Sequence, residues 1–261
     1  MQTNISRLRV VGLIALASGL QGCGDPKSSS TGGPDGGIVP TSQMTIDLQL
    51  ESKDAGTAVV RANLNDGKAL GSSYRLDGGD FFRACVSGVC RNMADNDSLD
   101  SPDYIARLTF QPGVDYVVSF SRQEGQNAPD SRVVMPQGFT VVTPANGTQV
   151  TDGQAVIFEW TPTGAPARVT LDYTITCKTS TGGSASNGKL GADTNSDGRE
   201  IVSIDSLMQA YRSNGGNGGI IPCDIDVSVH HELSGTIDRA FRGGKAVGIV
   251  TRTVTLHYVP R

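Results

Sequence analysis

The stretch Ala167-Arg168-Val169-Thr170-Leu171-Asp172-Tyr173-Thr174-Ile175-Thr176-Cys177 decides the fold class. Ala167, Val169, Leu171, Tyr173, Ile175 and Cys177 fall in one phase of an extended chain; Arg168, Thr170, Asp172, Thr174 and Thr176 fall in the other. Successive side chains of a strand point to opposite faces, so this period of two predicts a strand with one face in the core. The same alternation returns at Cys223, Ile225, Val227 and Val229, with Asp224, Asp226 and Ser228 opposite. Residues 247–258 read as a long Thr-rich strand. Its apolar phase slips near Arg252, which predicts a bulge or a change of sheet. Residues 203–212 predict a short helical turn with Leu207, Met208 and Tyr211 inward.

Toward the N-terminus the pattern is also β. Met44, Ile46, Leu48 and Leu50 alternate with polar residues. Residues 58–64 give a second strand that ends at the turn signal Asn65-Asp66-Gly67. Residues 81–93 predict a hairpin about Ser87-Gly88, which sets Cys85 opposite Cys90. Residues 93–102 read as an acidic loop. Two further strands, 104–110 and 116–120, flank the turn Gln111-Pro112-Gly113. Residues 139–142 and 155–160 are strands on either side of Pro144-Ala145-Asn146-Gly147.

Composition agrees with an all-β chain. Only 18% of residues are charged and 33 of 261 are Gly, and the chain is rich in Thr, Val and Ser. The net charge of −4 makes nucleic acid a poor partner, because phosphate binding requires clustered Lys and Arg. Residues 24–43 are mostly Gly, Ser, Pro and Thr and predict a flexible linker. Such a linker spans about 25 Å on average.

The N-terminus carries a targeting pattern. Arg7 and Arg9 precede an apolar run from Val10 to Leu20. A membrane-crossing helix needs roughly 20 apolar residues, so this run is too short for one and reads as a signal peptide. It ends in Leu20-Gln21-Gly22-Cys23, which resembles the lipobox of bacterial lipoproteins, with Gln21 where the family prefers a smaller residue. The resemblance implies cleavage after Gly22 and a lipidated, palmitate-bearing Cys23. Gly24, in place of Asp, implies the outer membrane. With Cys23 lipidated, Cys85, Cys90, Cys177 and Cys223 remain. Four cysteines in an exported chain read as two disulfides, and three pairings exist. Sequence distance, the hairpin and the shared apolar phase favour Cys85–Cys90 and Cys177–Cys223.

The segment 138–162, with Pro-x-Asn-Gly and a strand ending in Trp160-Thr161-Pro162, resembles the opening of fibronectin-III-like and bacterial Ig-like domains. That resemblance implies a core role for Trp160. The run Gly235-Thr236-Ile237-Asp238-Arg239-Ala240-Phe241-Arg242-Gly243-Gly244 is similar to one shared by certain bacterial envelope lipoproteins. The expected organisation is a signal peptide (1–22), a lipidated Cys and linker (23–43), and two tandem Ig-like or fibronectin-III-like β-sandwich modules (44–137 and 138–261).

Candidate chemistry is sparse. Asp193, Asn195 and Asp197, followed by Gly198, space oxygen ligands as a calcium loop begins. The twelfth position, where that loop needs Glu, is Ile204. The competing reading is a polar hairpin loop. His230-His231-Glu232 suggests a metal, but adjacent strand residues face opposite ways, so His231 is expected inward. Asp224 and Asp226 share a strand face, a spacing common on solvated sheets. No nucleophile elbow, zinc helix or P-loop motif occurs. The expectation is a membrane-anchored envelope lipoprotein with a structural or protein-binding role and no catalytic activity. The alternative is a glycan- or ligand-binding module with a calcium loop.

Overall fold

The computed structural model describes residues 39–68, 73–76, 78–96, 103–163, 168–179, 182–189, 197–213 and 222–261. Residues 1–22, expected as a signal peptide, Cys23, residues 24–38 of the expected linker, Asp193 and Asn195 lie outside the described residues. The chain is mostly β. The first half contributes β1 (Thr45–Ser52), β2 (Thr57–Asn65), β3 (Phe81–Val86), β4 (Val89–Asn92), β5 (Ala94–Asp95), β6 (Tyr104–Thr109), β7 (Asp115–Ser121) and β8 (Ala128–Val134). The second contributes β9 (Thr140–Thr143), β10 (Thr148–Val150), β11 (Ala155–Thr161), β12 (Arg168–Thr179), β13 (Gly182–Lys189), β14 (Arg199–Ser203), α1 (Ile204–Ser213), β15 (Cys223–Ser234) and β16 (Gly243–Tyr258).

One large sheet runs β13-β12-β15-β16-β1-β2-β6-β5, and β10 also pairs with β16. Two smaller sheets, β4-β3-β7-β8 and β14-β11-β9, pack against it. Phe82 on β3 meets Tyr104 on β6 at 5.6 Å between ring centroids. Trp160 on β11 meets His231 on β15 edge-on at 6.2 Å. Trp160 is thus buried, in the role its resemblance implied.

Alternation places the core. Ile46, Leu48 and Leu50 of β1 and Val169, Leu171, Tyr173 and Ile175 of β12 are all buried. The helix α1 is three turns rather than one, and Ile204 joins Leu207, Met208 and Tyr211 inward. Ser87 (φ 46°) and Gly88 (φ 81°) form the two-residue β3–β4 turn, the backbone twist that hairpins favour. Both expected disulfides are present. Cys85 and Cys90 are cross-strand partners with α-carbons 4.1 Å apart, and so are Cys177 and Cys223 at 4.2 Å.

The phase slip expected near Arg252 takes a different form. The β15–β16 ladder runs from Cys223↔Tyr258 to Ser234↔Val247 without a break in register, so there is no bulge in it. What changes is the neighbour on the other edge of β16. That neighbour is β1 along Gly243–Val250 and β10 along Leu256–Tyr258, both parallel to β16. Arg252 stands at the handover. It donates to the backbone carbonyls of Phe139 and Lys53, each at 3.2 Å. An inward arginine therefore fills the gap between two strand ends, and its polar head answers carbonyls that no strand reaches.

The β1–β16 ladder also crosses residue 137. Segments 44–137 and 138–261 share one sheet, and their buried apolar side chains form one continuous cluster.

Candidate functional surface

The outward faces of β12, β15 and β16 make one polar surface. Its rows are Thr176–Asp224–His257, Thr174–Asp226–Thr255, Asp172–Ser228–Thr253 and Thr170–His230–Thr251. Each carboxylate in these rows has a neighbour. The His257 ring nitrogen Nδ1 is 2.7 Å from Asp224 Oδ1. The Thr255 hydroxyl donates to Asp226 at 2.6 Å. His230 sits between Thr251 and Asp172. Its Nδ1 is 2.9 Å from the hydroxyl, and its Nε2 is 2.9 Å from the carboxylate but off the line of a hydrogen bond. Asp224 and Asp226 are thus engaged in cross-strand pairs on an open sheet face. That arrangement stabilises a ladder; it does not aim two carboxyls into a cleft.

The inward side of the same ladder holds the residues that join the sheets. His231 is 2% exposed, as its phase predicts. It stacks on Phe139, and the Arg252 guanidinium lies 5.7 Å from the centre of that ring. Burial, and secondarily the charge of Arg252, lowers the His231 pKa to about 4. At neutral pH this ring is uncharged.

A second polar cluster was not anticipated from sequence. Arg122 and Asp80 form an ion pair at 3.2 Å with both side chains fully buried. Arg122 also donates to the Val39 carbonyl at 2.7 Å and the Thr41 hydroxyl at 3.2 Å. Asp80 accepts the Gln123 amide at 2.8 Å. The pair therefore fastens the start of the described chain to the β7–β8 connection. The sequence did carry a signal: Arg122 continues the inward phase of Tyr116, Val118 and Phe120.

Residues 235–242 of the run 235–244 form a strap between β15 and β16 that docks on β8. Thr236 and Arg132 exchange two backbone hydrogen bonds of 2.8 Å. Asp238 accepts from the Asp130 amide at 2.8 Å, and its own amide donates to the Ser131 hydroxyl at 3.0 Å. Phe241 is buried and stacks on Phe120 at 5.9 Å. Beside the strap lies a shallow groove of about 530 Å³, lined among others by Asn127, Asp130, Asp238 and Arg239.

Two further surface features discriminate between binding modes. All six Tyr and Trp160 are buried, and among aromatic side chains only Phe81 is well exposed, at 39%. The large sheet ends at β13, eight residues of Gly-Gly-Ser-Ala-Ser-Asn-Gly-Lys paired only with β12 among the described residues.

Of the calcium candidates, only Asp197 is described. It is exposed, and its carboxylate accepts the Arg199 amide at 3.0 Å. Among the described residues no group of three or more His, Cys, Asp or Glu side chains converges to hold a metal ion. No helix among them is long and apolar enough to cross a membrane. Compared with known proteins, the chain matches no family model and finds no similar curated protein.

Proposed function

We propose that this chain is a lipid-anchored protein of the bacterial envelope, held through Cys23, whose role is structural or protein-binding and not catalytic. The finer fold reading goes with it: two Ig-like or fibronectin-III-like sandwiches, fused through β16. The observation that carries protein binding is the outer edge of β13. A strand edge offers unpaired backbone donors and acceptors to an incoming strand. Edges are normally blunted by charge, proline or a bulge. β13 has no proline, and its single charge is Lys189 at the end. The glycan alternative draws less support. Sugar stacking needs exposed aromatic faces, and here the Tyr and Trp side chains are consumed by the core.

Photo-cross-linking in cells tests the edge. A cross-linker at Asn187 is expected to trap a partner, while one at Thr253 on the polar face is not. Ala185→Pro and Ser186→Pro have amides on opposite edges of the strand, so one of them is expected to abolish the adduct. Equal adducts at Asn187 and Thr253, or none at Asn187, would reject the edge. The anchor is tested separately: Cys23→Ser should move the protein from the membrane fraction to the soluble one, and its retention there would refute lipidation as the tether.

A further inference from the structure

The first and last strands lie side by side and run the same way. β1 pairs with β16 in parallel from Thr45↔Gly243 to Ser52↔Val250, with no break in register. Tension that enters at the N-terminal end of β1 and leaves at the C-terminal end of β16 drags the two strands past one another. Ladder hydrogen bonds run between strands and not along them. That tension therefore loads the whole ladder at once. Tension that parts the adjacent ends, Thr45 from Gly243, loads it one pair at a time.

We propose that the β1–β16 ladder is a shear clamp, and that the protein is built to hold tension between its N-terminal and C-terminal ends. The grip on the pulled segment extends beyond the ladder. Before β1, Arg122 holds the carbonyl of Val39 and the hydroxyl of Thr41, and the Arg242 amide holds the carbonyl of Met44 at 2.9 Å. After β1, Arg252 holds the carbonyl of Lys53. On its other edge β16 is held by β15 along twelve cross-strand pairs, against eight for β1. The β1 ladder is the shorter of the two and is the one that yields first. Strands β3–β8 and β11–β14 stand off the line of force. The cellular setting, tension against a membrane anchor, rests on the lipidation reading; the clamp itself does not.

Single-molecule pulling tests this on the full chain carrying Cys23→Ser and Arg239→Cys, so that the same protein is used in two geometries. In the first, handles join the two termini. In the second, they join the N-terminus and the thiol at position 239, an exposed site four residues before β16. The expected result is a several-fold higher rupture force in the first geometry. It should come as a cooperative event whose released length omits the loops closed by the two disulfides. Equal forces in the two geometries, or release in low-force steps from the termini, would overturn the clamp. Either result leaves the membrane-fraction test of Cys23 untouched, so the two ideas fail separately.

Discussion

The His231 ring lies flat on the Phe139 ring, with centroids 3.8 Å apart and planes within 10°. The contact ties the large sheet, through β15, to the chain entering β9. Histidine accepts this place only as the neutral ring, because its Nε2 is buried with no hydrogen-bond partner and a charge there would be unsolvated.

A pH dependence follows from that contact. The folded-state pKa, about 4, lies below the ordinary value of 6.5. The unfolded chain therefore takes up a proton first as pH falls. The His231 contribution is intact above about pH 6.5, is lost as pH drops toward 4, and changes no further below it. By pH 4.5 the loss amounts to roughly 2–3 kcal/mol. Urea unfolding at pH 7 and pH 4.5 should show it in the parent protein and less of it in His231→Phe, which keeps the stack. Identical pH slopes in the two proteins would refute the assignment.

The buried Arg122–Asp80 pair sets up a non-additive pair of substitutions. Arg122→Ala leaves a buried carboxylate without its partner and should cost about 3–5 kcal/mol. The double variant Asp80→Leu/Arg122→Met replaces both charges by apolar bulk and should cost less than Arg122→Ala alone. Denaturant midpoints read the difference; a double variant that is the less stable of the two contradicts this account.

Gly248 runs directly beneath the backbone of β8. A β-carbon there would overlap the Val134 carbonyl and press on Pro136 at 3.1 Å, whereas one at Gly243 meets nothing within 4 Å. Gly248→Ala should therefore destabilise by about 1–3 kcal/mol, the usual cost of overpacking. Gly243→Ala, five residues earlier in the same strand, should be nearly neutral. Thermal unfolding of both variants separates close approach from a general intolerance of side chains in β16.

The two disulfides should differ in worth. Cys177–Cys223 closes a separation of 46 residues and Cys85–Cys90 one of 5. The chain-entropy model then gives about 4 kcal/mol for the first and about 2 kcal/mol for the second. Paired Cys→Ala variants compared by denaturant unfolding should keep that order. Intact mass with and without reductant should show four thiols appearing only on reduction.

Much of the strand framework was legible because it is written in local periodicity. β1, β2, β12, β15 and β16 each repeat apolar residues every second position, and the turn at Ser87-Gly88 fixed which cysteines face one another. Five strands gave no such signal, among them β5, which falls inside the stretch 93–102 expected as an acidic loop. β8 begins Ala-Pro-Asp-Ser-Arg and owes its place to a register shift opposite Val118–Phe120 and to the strap at Thr236. β13 is Gly- and Ser-rich, and β10 and β14 are too short for a period to emerge. The polar surface was half legible: the shared phase of Asp224 and Asp226 is local, while the His257 and Thr255 that engage them arrive through pairing across more than 25 residues.

The sequence alone determined the all-β class, the inward phase of each periodic strand and the Cys85–Cys90 pair, because each depends on neighbours within a strand or across one tight turn; that pair leaves Cys177 and Cys223 for each other. Tertiary structure alone decided that β1 lies parallel to β16, that Arg122 finds Asp80, and that Arg252 closes the seam where β1 gives way to β10. Those relationships join residues far apart in the chain. Their free energy comes from satisfying buried polar groups and sheet edges that no local pattern of residues specifies.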